Sequence, residues 1–261
     1  GNRLLNGLSY AIPRRVPASA LSGGLTDIHD TTSAEGYWFN VTFSRIGYSS
    51  ELVAAKVAAV GKDRLQLQLA LKNVNLTIGN TYISGSRRSA TAGPVTIFIG
   101  HQRPAWLNIV VEPYVQDRRL RLRTVSSDFH IDRDNYSVSS PWGVSVRGLG
   151  MDRDRVSNSI VQGLYAQKSR IEREVSAAVP SIMSWVEETL DISDANQGIS
   201  AIWPLPVYRP NVRIWPESVS TDEQGVSIGL GLQAAAPSSQ SLPFRKVLAE
   251  RSAGNAVARN A

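Results

Sequence analysis

The sequence predicts an α+β fold in which a long, strongly bent antiparallel sheet is wrapped around a long kinked helix. Three observations predict it. Residues 65 to 78, LQLQLALKNVNLTI, alternate apolar and polar positions over an unusual length. Residues 152 to 190 change to a helical period, apolar at Val156, Ile160, Leu164, Ile171, Val175, Val179, Ile182, Val186 and Leu190. The strand-like runs between these two segments are joined by short connections, which suits antiparallel neighbours.

The alternating stretch carries most of the argument. At about 3.3 Å per residue it spans roughly 45 Å, whereas strands usually run to about 5 or 6 residues. Leu65, Leu67, Leu69 and Leu71 keep one phase, and Val74, Leu76 and Ile78 resume it after a slip at Lys72 and Asn73. A slip of one residue is what a β-bulge produces, and a bulge bends the strand. Something equally long has to lie against it.

Before this strand, Pro13, Pro17, Gly23 and Gly24 punctuate residues 1–36 and predict an extended lead-in. YWFNVTF alternates Tyr37, Phe39, Val41 and Phe43 with Trp38, Asn40 and Thr42, as a strand does. A short helix is expected next, capped by Ser49 or Ser50, with Glu51 in its first turn, a stripe of Leu52, Val53, Val57 and Val60, and a stop at Gly61.

After it, residues 84–93 read as a polar loop and Val95–Ile99 as a strand. WLNIVVEPYV and RRLRLRTVSSDFHI follow as two strands turning near Gln116 and Asp117. In the second, Leu120 and Leu122 face one way while Arg119, Arg121 and Arg123 face the other, giving a half-buried strand with a basic outer side. GVSVRGL adds one more strand.

Pro180 lies within the helical pattern and is expected to kink it, because it lacks an amide donor and clashes with the preceding turn. Lys168, Arg170, Glu172, Arg173 and Glu174 form the wet side of that helix. Farther on, WPLPVYRPNVRIWPESV is proline-rich and suits an edge strand or extended cover. GVSIGLGLQA alternates Val226, Ile228, Leu230 and Leu232 with small residues, so its Gly229 and Gly231 side admits close approach. Residues 1–243 are expected to form a single unit, and the Ser-, Ala-, Asn- and Arg-rich 244–261 a tail.

Composition narrows the function. The chain has 261 residues, 42% of them hydrophobic, which is enough for a substantial core. It has no cysteine, which excludes disulfides, thiolate nucleophiles and sulfur-based zinc sites. A net charge of +6 favours anionic partners such as a membrane surface. No run approaches the eighteen or so apolar residues of a membrane-spanning helix. A first residue of Gly rather than Met sets the expectation that an export signal or anchor has been removed.

Chemistry has little to recommend it in this sequence. Asp128, His130, Asp132 and Asp134 in DFHIDRD could share a strand face and ligate a metal, but polar alternation is what any solvated strand face gives. Asp152 and Asp154 are explained by the N-terminal dipole of the helix that follows. There is no G-x-S-x-G elbow, Walker loop, H-E-x-x-H or G-x-G-x-x-G after a strand. Arginines mingle with aromatics around Trp106 and Trp215, yet without a nucleic-acid-binding module. The expectation is no enzyme, catalytic residue, metal, cofactor or nucleic acid.

The order of these elements, with long alternating strands, then SSPWGVSVRGLG, then SNSIVQGLYAQKSRIEREVSAAVPSIMSWVEETL, resembles the tubular lipid-binding (TULIP) superfamily, which includes bactericidal/permeability-increasing protein. LPVYRPNVRIWPESVSTDEQGVSIGLGLQA looks like the end of bacterial envelope proteins of that fold. The resemblance covers about residues 40–236 and implies a TULIP-like half-barrel binding a lipid or other long apolar ligand in a tube between helix and sheet. On that reading the tube is lined by Leu67, Leu69, Leu71, Val74, Leu76, Leu164, Ile171, Val175, Val179 and Ile182. It also implies a periplasmic or membrane-associated extracytoplasmic setting, with either one module or a homodimer joining two. The family's animal members carry a disulfide that this chain cannot form. The competing reading keeps the fold but fills the tube, leaving a structural or interaction protein of the envelope. A third, an unrecognised hydrolase, would depend on Asp128 or His130.

Overall fold

The alternating stretch at 65–78 is the middle of a much longer strand. The computed structural model describes residues 2–34, 37–148, 152–190, 211–222 and 225–235. In it, β3 (Tyr37–Ala59) and β4 (Leu65–Gly85) form an antiparallel ribbon from Ala59 opposite Leu65 to Asn40 opposite Ser84. The other edge of β4 takes three partners in succession. These are β7 (Ala105–Gln116) along Leu65–Leu71, β6 (Val95–Ile99) along Val74–Ile78, and β5 (Arg88–Ala92) along Thr81–Gly85.

The first handover falls on the slip at Lys72 and Asn73. Asn75 pairs with Ser49 and Lys72 with Glu51, so β4 has one residue more than β3 between these two pairs. Asn73 takes a left-handed φ of 49°, which asparagine tolerates better than β-branched residues. Its amide donates to the Gly100 carbonyl at 3.4 Å, and the Gly100 amide to the Asn135 carbonyl at 3.2 Å. Gly100 is needed there: its φ is 74°, and a Cβ would sit 2.9 Å from the Leu71 carbonyl oxygen. A second bulge, on β3 beside Val53, comes between Leu52 opposite Leu71 and Ala54 opposite Ala70.

Two short strands, β1 (Ser22–Leu25) and β2 (Ile28–Ala34), pair with the outer edge of β3. On the far side, β8 (Arg119–His130) pairs with β7, β9 (Tyr136–Val138) with β6, and β10 (Ser145–Arg147) with β5. This makes a ten-stranded antiparallel sheet, and no described strand closes β8, β9 or β10 back onto β1 or β2. Apolar residues line up across it, as in the rows Val57–Leu67–Ile109 and Ala55–Leu69–Leu107–Phe129. Each interior member of these rows removes apolar area from water, worth about 1.5–3 kcal/mol for a large side chain.

The helical pattern at 152–190 folds as α2 (Arg153–Ala166), α3 (Lys168–Ala177) and α4 (Val179–Thr189), meeting at Gln167 and Ala178. Both junction residues keep right-handed helical dihedrals, so the rod bends without stopping. Asp152 caps its start, accepting from the Asp154 amide at 3.0 Å. The Ala178 bend is the one Pro180 demands. Proline has no amide for the Ser176 carbonyl four residues back, and Ser127 Oγ donates to that carbonyl instead, at 3.1 Å. The bend at Gln167 has no proline, and its sequence gives no warning of it. The rod packs against β8 and β9.

Several expectations are corrected. Residues 49–61 are not a helix: Glu51 to Ala59 belong to β3, where Ala55 and Val57 are buried and Val53 is exposed. The stripe of Leu52, Val53, Val57 and Val60 suits a helix as well as a strand, and the long edge of β4 selects the strand. The first 36 residues are not an extended lead-in: α1 (Asn2–Arg15) precedes a 3₁₀ turn at Ala18–Leu21 and the strands β1 and β2. Leu5, Leu8 and Ile12 supply its apolar face, and Pro13 falls in its last turn. Residues 84–93 are not a loop: the end of β4 turns at 86–87 directly into β5.

β11 (Asn211–Asp222) and β12 (Gly225–Ala235) form a separate hairpin with a register shift between Pro216 and Ser218. A bulge is where a proline without an amide fits a strand. The close approach permitted by Gly231 is taken by the indole of Trp215, on which Arg118 stacks at 4.4 Å. The expected tail, 244–261, lies outside the described residues, as do Pro204, Pro206 and Pro210.

Candidate functional site: an apolar cavity beneath the first helix

The sheet, α1, α4 and the β11–β12 hairpin converge at the Ala59/Leu65 end of the long ribbon. From below come Val57 on β3, Leu65 and Leu67 on β4, Pro113 on β7, and Leu120 and Leu122 on β8. α1 covers them with Leu8 and Ile12, α4 contributes Val186 and Leu190, and the hairpin adds Val219, Val226 and Ile228. These surfaces do not meet completely. They leave a cavity of about 110 Å³ whose lining residues are all Leu, Ile, Val or Pro.

Local chemistry holds each wall in place. Ser9 Oγ accepts from the Val57 amide at 2.9 Å while donating to the Leu5 carbonyl at 2.9 Å, which fixes α1 on β3. The Asp63 amide donates to the Thr221 carbonyl at 3.1 Å, joining the β3–β4 turn to the hairpin. β8 pairs with β7 only, and two carboxylates from the rod take up amides on its free side, one within the strand and one just past its end. Glu187 Oε1 accepts from the Leu122 amide at 2.8 Å, and Glu172 Oε1 from the Ile131 amide at 2.7 Å. Covering an open edge in this way removes a template for unwanted pairing.

Partial burial pushes the Glu172 carboxyl upward. Hydrogen bonds from Lys168 Nζ at 2.6 Å and from the Ile131 amide outweigh it and hold the group below the usual glutamate range. Tyr136 donates its hydroxyl to the Leu164 carbonyl at 2.8 Å, which ties α2 to β9, and burial pushes that phenol upward. Among the described residues no titratable group lines the cavity. What this arrangement can do is take hydrocarbon out of water, at about 0.8 kcal/mol per methylene.

The ten sequence-predicted lining residues are distributed as follows. Leu67 lines the cavity. Leu69, Leu71, Leu164 and Val179 are buried in the core, and Val74, Leu76, Ile171, Val175 and Ile182 are partly buried against it. Leu69 and Leu107 face each other across β4 and β7 with 1% and 0% exposure, so side chains fill that part of the interface. Sequence reasoning missed Leu8 and Ile12 because proline and glycine punctuation hid α1, although their i, i+4 spacing was there to be seen. It missed Val57 because 49–61 reads as a helix.

The polar run DFHIDRD is an ion-pair network. Arg103 bridges Asp132 at 2.8 Å and Asp134 at 2.7 Å, and its hydrogen bond is the main reason the Asp134 carboxyl lies low. His130 lies 3.4 Å from Glu172 and 3.7 Å from Asp132. Among the described residues no three His, Asp or Glu side chains converge as metal ligands, and no helix is long and apolar enough to cross a membrane.

The fold is thus α+β and sheet-rich, with an apolar cavity at one end. No protein-family model matches the chain. No curated protein matches it either. Among solved structures it is similar to a crystal structure of lipopolysaccharide binding protein, with 11% identity and a TM-score of 0.36, over 92% of this chain and 49% of that one. The chain therefore spans about half the length of that protein.

Proposed function

We propose that the protein binds a lipid or another long apolar molecule, with the end of its hydrocarbon chain in the cavity beneath α1. The observation that supports this is the lining, thirteen side chains without a polar atom around about 110 Å³. An apolar cavity of about 150 Å³ stays dry and accepts a benzene-sized guest, so this one suits a chain terminus of a few carbons. Longer occupancy requires α1, α4 and the hairpin to part along their seams, which extends the space between rod and sheet. The reading needs no catalytic group, and the setting proposed for it is the bacterial cell envelope.

Solvent extraction and mass spectrometry of the purified protein, with titration of a fluorescent fatty acid, test the reading. Copurifying lipid, or saturable uptake that Ile228→Phe reduces at least tenfold with folding preserved, is the expected result. Neither lipid nor uptake would overturn it. A second reading, a structural or interaction protein with a filled interior, is favoured by the complete burial of Leu107, Ile109 and Val111. It predicts a melting temperature that no apolar ligand shifts.

A further inference from the structure

The cavity is only partly enclosed, and α1 differs from its other walls. It supplies Leu8 and Ile12 to the lining, and among the described residues it is tied to the sheet by the bond from the Val57 amide to Ser9 Oγ. Its outer side is cationic. Arg3, Arg14 and Arg15 are exposed, and no carboxylate occurs anywhere in residues 1–26. Tyr10 is 64% exposed, with the Arg14 guanidinium stacked 3.4 Å over its ring. An apolar face, with exposed arginines and an exposed aromatic outside it, is a feature of a helix that lies in a bilayer interface.

We propose that α1 is a cover that docks on anionic bilayer surfaces through Arg3, Arg14 and Arg15, and that docking releases it from Val57 and opens the cavity. This rests on the cavity being a ligand site. Charge complementarity selects the partner: each arginine near an anionic leaflet is worth about fivefold in partitioning, and three together on the order of a hundredfold. The face that leaves the protein is itself apolar. Leu8 and Ile12 would exchange the lining of the cavity, and Leu5 the core beside it, for the headgroup boundary, so opening does not leave them in water.

The experiment is vesicle cosedimentation of the whole chain with phosphatidylcholine alone or with three parts in ten phosphatidylglycerol. Binding is expected only with the anionic lipid and is reversed by 0.5 M salt. The triple variant Arg3→Glu, Arg14→Glu, Arg15→Glu should lose it about a hundredfold, while Arg87→Glu with Arg147→Glu, on the opposite end of the ribbon, should retain it. The chain has no cysteine, so Gly7→Cys, a position with open space around it, carries a polarity-sensitive dye even if the triple variant fails to fold. Its emission should shift to the blue on anionic vesicles. Hydrogen exchange at the Val57 amide should accelerate at least tenfold when vesicles are added. Equal loss in both arginine variants, an unmoved dye, or a Val57 amide as protected on vesicles as in solution would overturn the proposal. Docking and opening without fatty-acid uptake would remove the ligand reading, whereas uptake without docking would remove only the cover.

Discussion

Glu187 on α4 accepts the backbone amide of Leu122 on β8 at 2.8 Å, and its other oxygen meets Arg121 at 3.0 Å. One carboxylate thereby satisfies an edge amide and seats the helix whose Val186 and Leu190 line the cavity. Glu187→Ala should cost about 1–3 kcal/mol in urea denaturation, because it strands a largely buried donor. Glu187→Gln keeps an acceptor and should cost about half as much. Equal losses would assign the effect to charge rather than to the amide.

Glu172 makes the corresponding contact just past the other end of β8, at Ile131, and its carboxyl lies below the ordinary glutamate value of 4.5. A carboxyl lowered in the folded state contributes stability that is complete above the unfolded pKa and is lost as pH falls through the folded one. The stability difference between the parent and Glu172→Gln should therefore be constant above about pH 6 and shrink steadily below about pH 4.5. Urea midpoints at a series of pH values measure it. A difference that grows on acidification would contradict the contact.

The bulge at Asn73 should discriminate by backbone rather than by side chain. With φ at 49°, a β-branched residue is strained, and Asn73→Val should lose about 1–2 kcal/mol. Asn73→Gly should be close to neutral. Thermal melts check this, at about 2–4 °C per kcal/mol for a chain of this size.

Leu67 and Leu69 are neighbours on one strand face, but only Leu67 borders the cavity. Truncating either to alanine should cost about 2–5 kcal/mol. Leu67→Ala should also enlarge the space and strengthen uptake of a bulkier fluorescent probe, whereas Leu69→Ala should not. Calorimetric titration beside denaturation separates the two effects.

Period-two alternation made β4, its bulge and the inward leucines legible, because one face of the sheet is buried and the phase cannot drift. The rod was legible through its 3.6-residue period, and Pro180 announced one of its two bends. Val57 was not, since ELVAAKVAAV satisfies a helical stripe and a strand equally well until β4 is in place. Nor was α1, where Leu5, Leu8 and Ile12 are only three points of a pattern interrupted by Gly7 and Pro13. The cavity escaped for a deeper reason. It is a shortfall of packing where the sheet, two helices and the hairpin meet, and no local pattern records how well distant surfaces fit.

The three successive partners on one edge of β4 have a consequence for biosynthesis. Residues 37–85 complete the β3–β4 ribbon before any of β5, β6 or β7 has left the ribosome, so the emerging chain can close its longest pairing through a turn of five residues, 60–64. Until residues 105–111 follow, the edge of Leu65–Leu71 stays open, and Leu67 and Leu69 are without the neighbours that bury them. That interval is when a nascent chain of this protein is most exposed to aggregation, and a holding chaperone would act there.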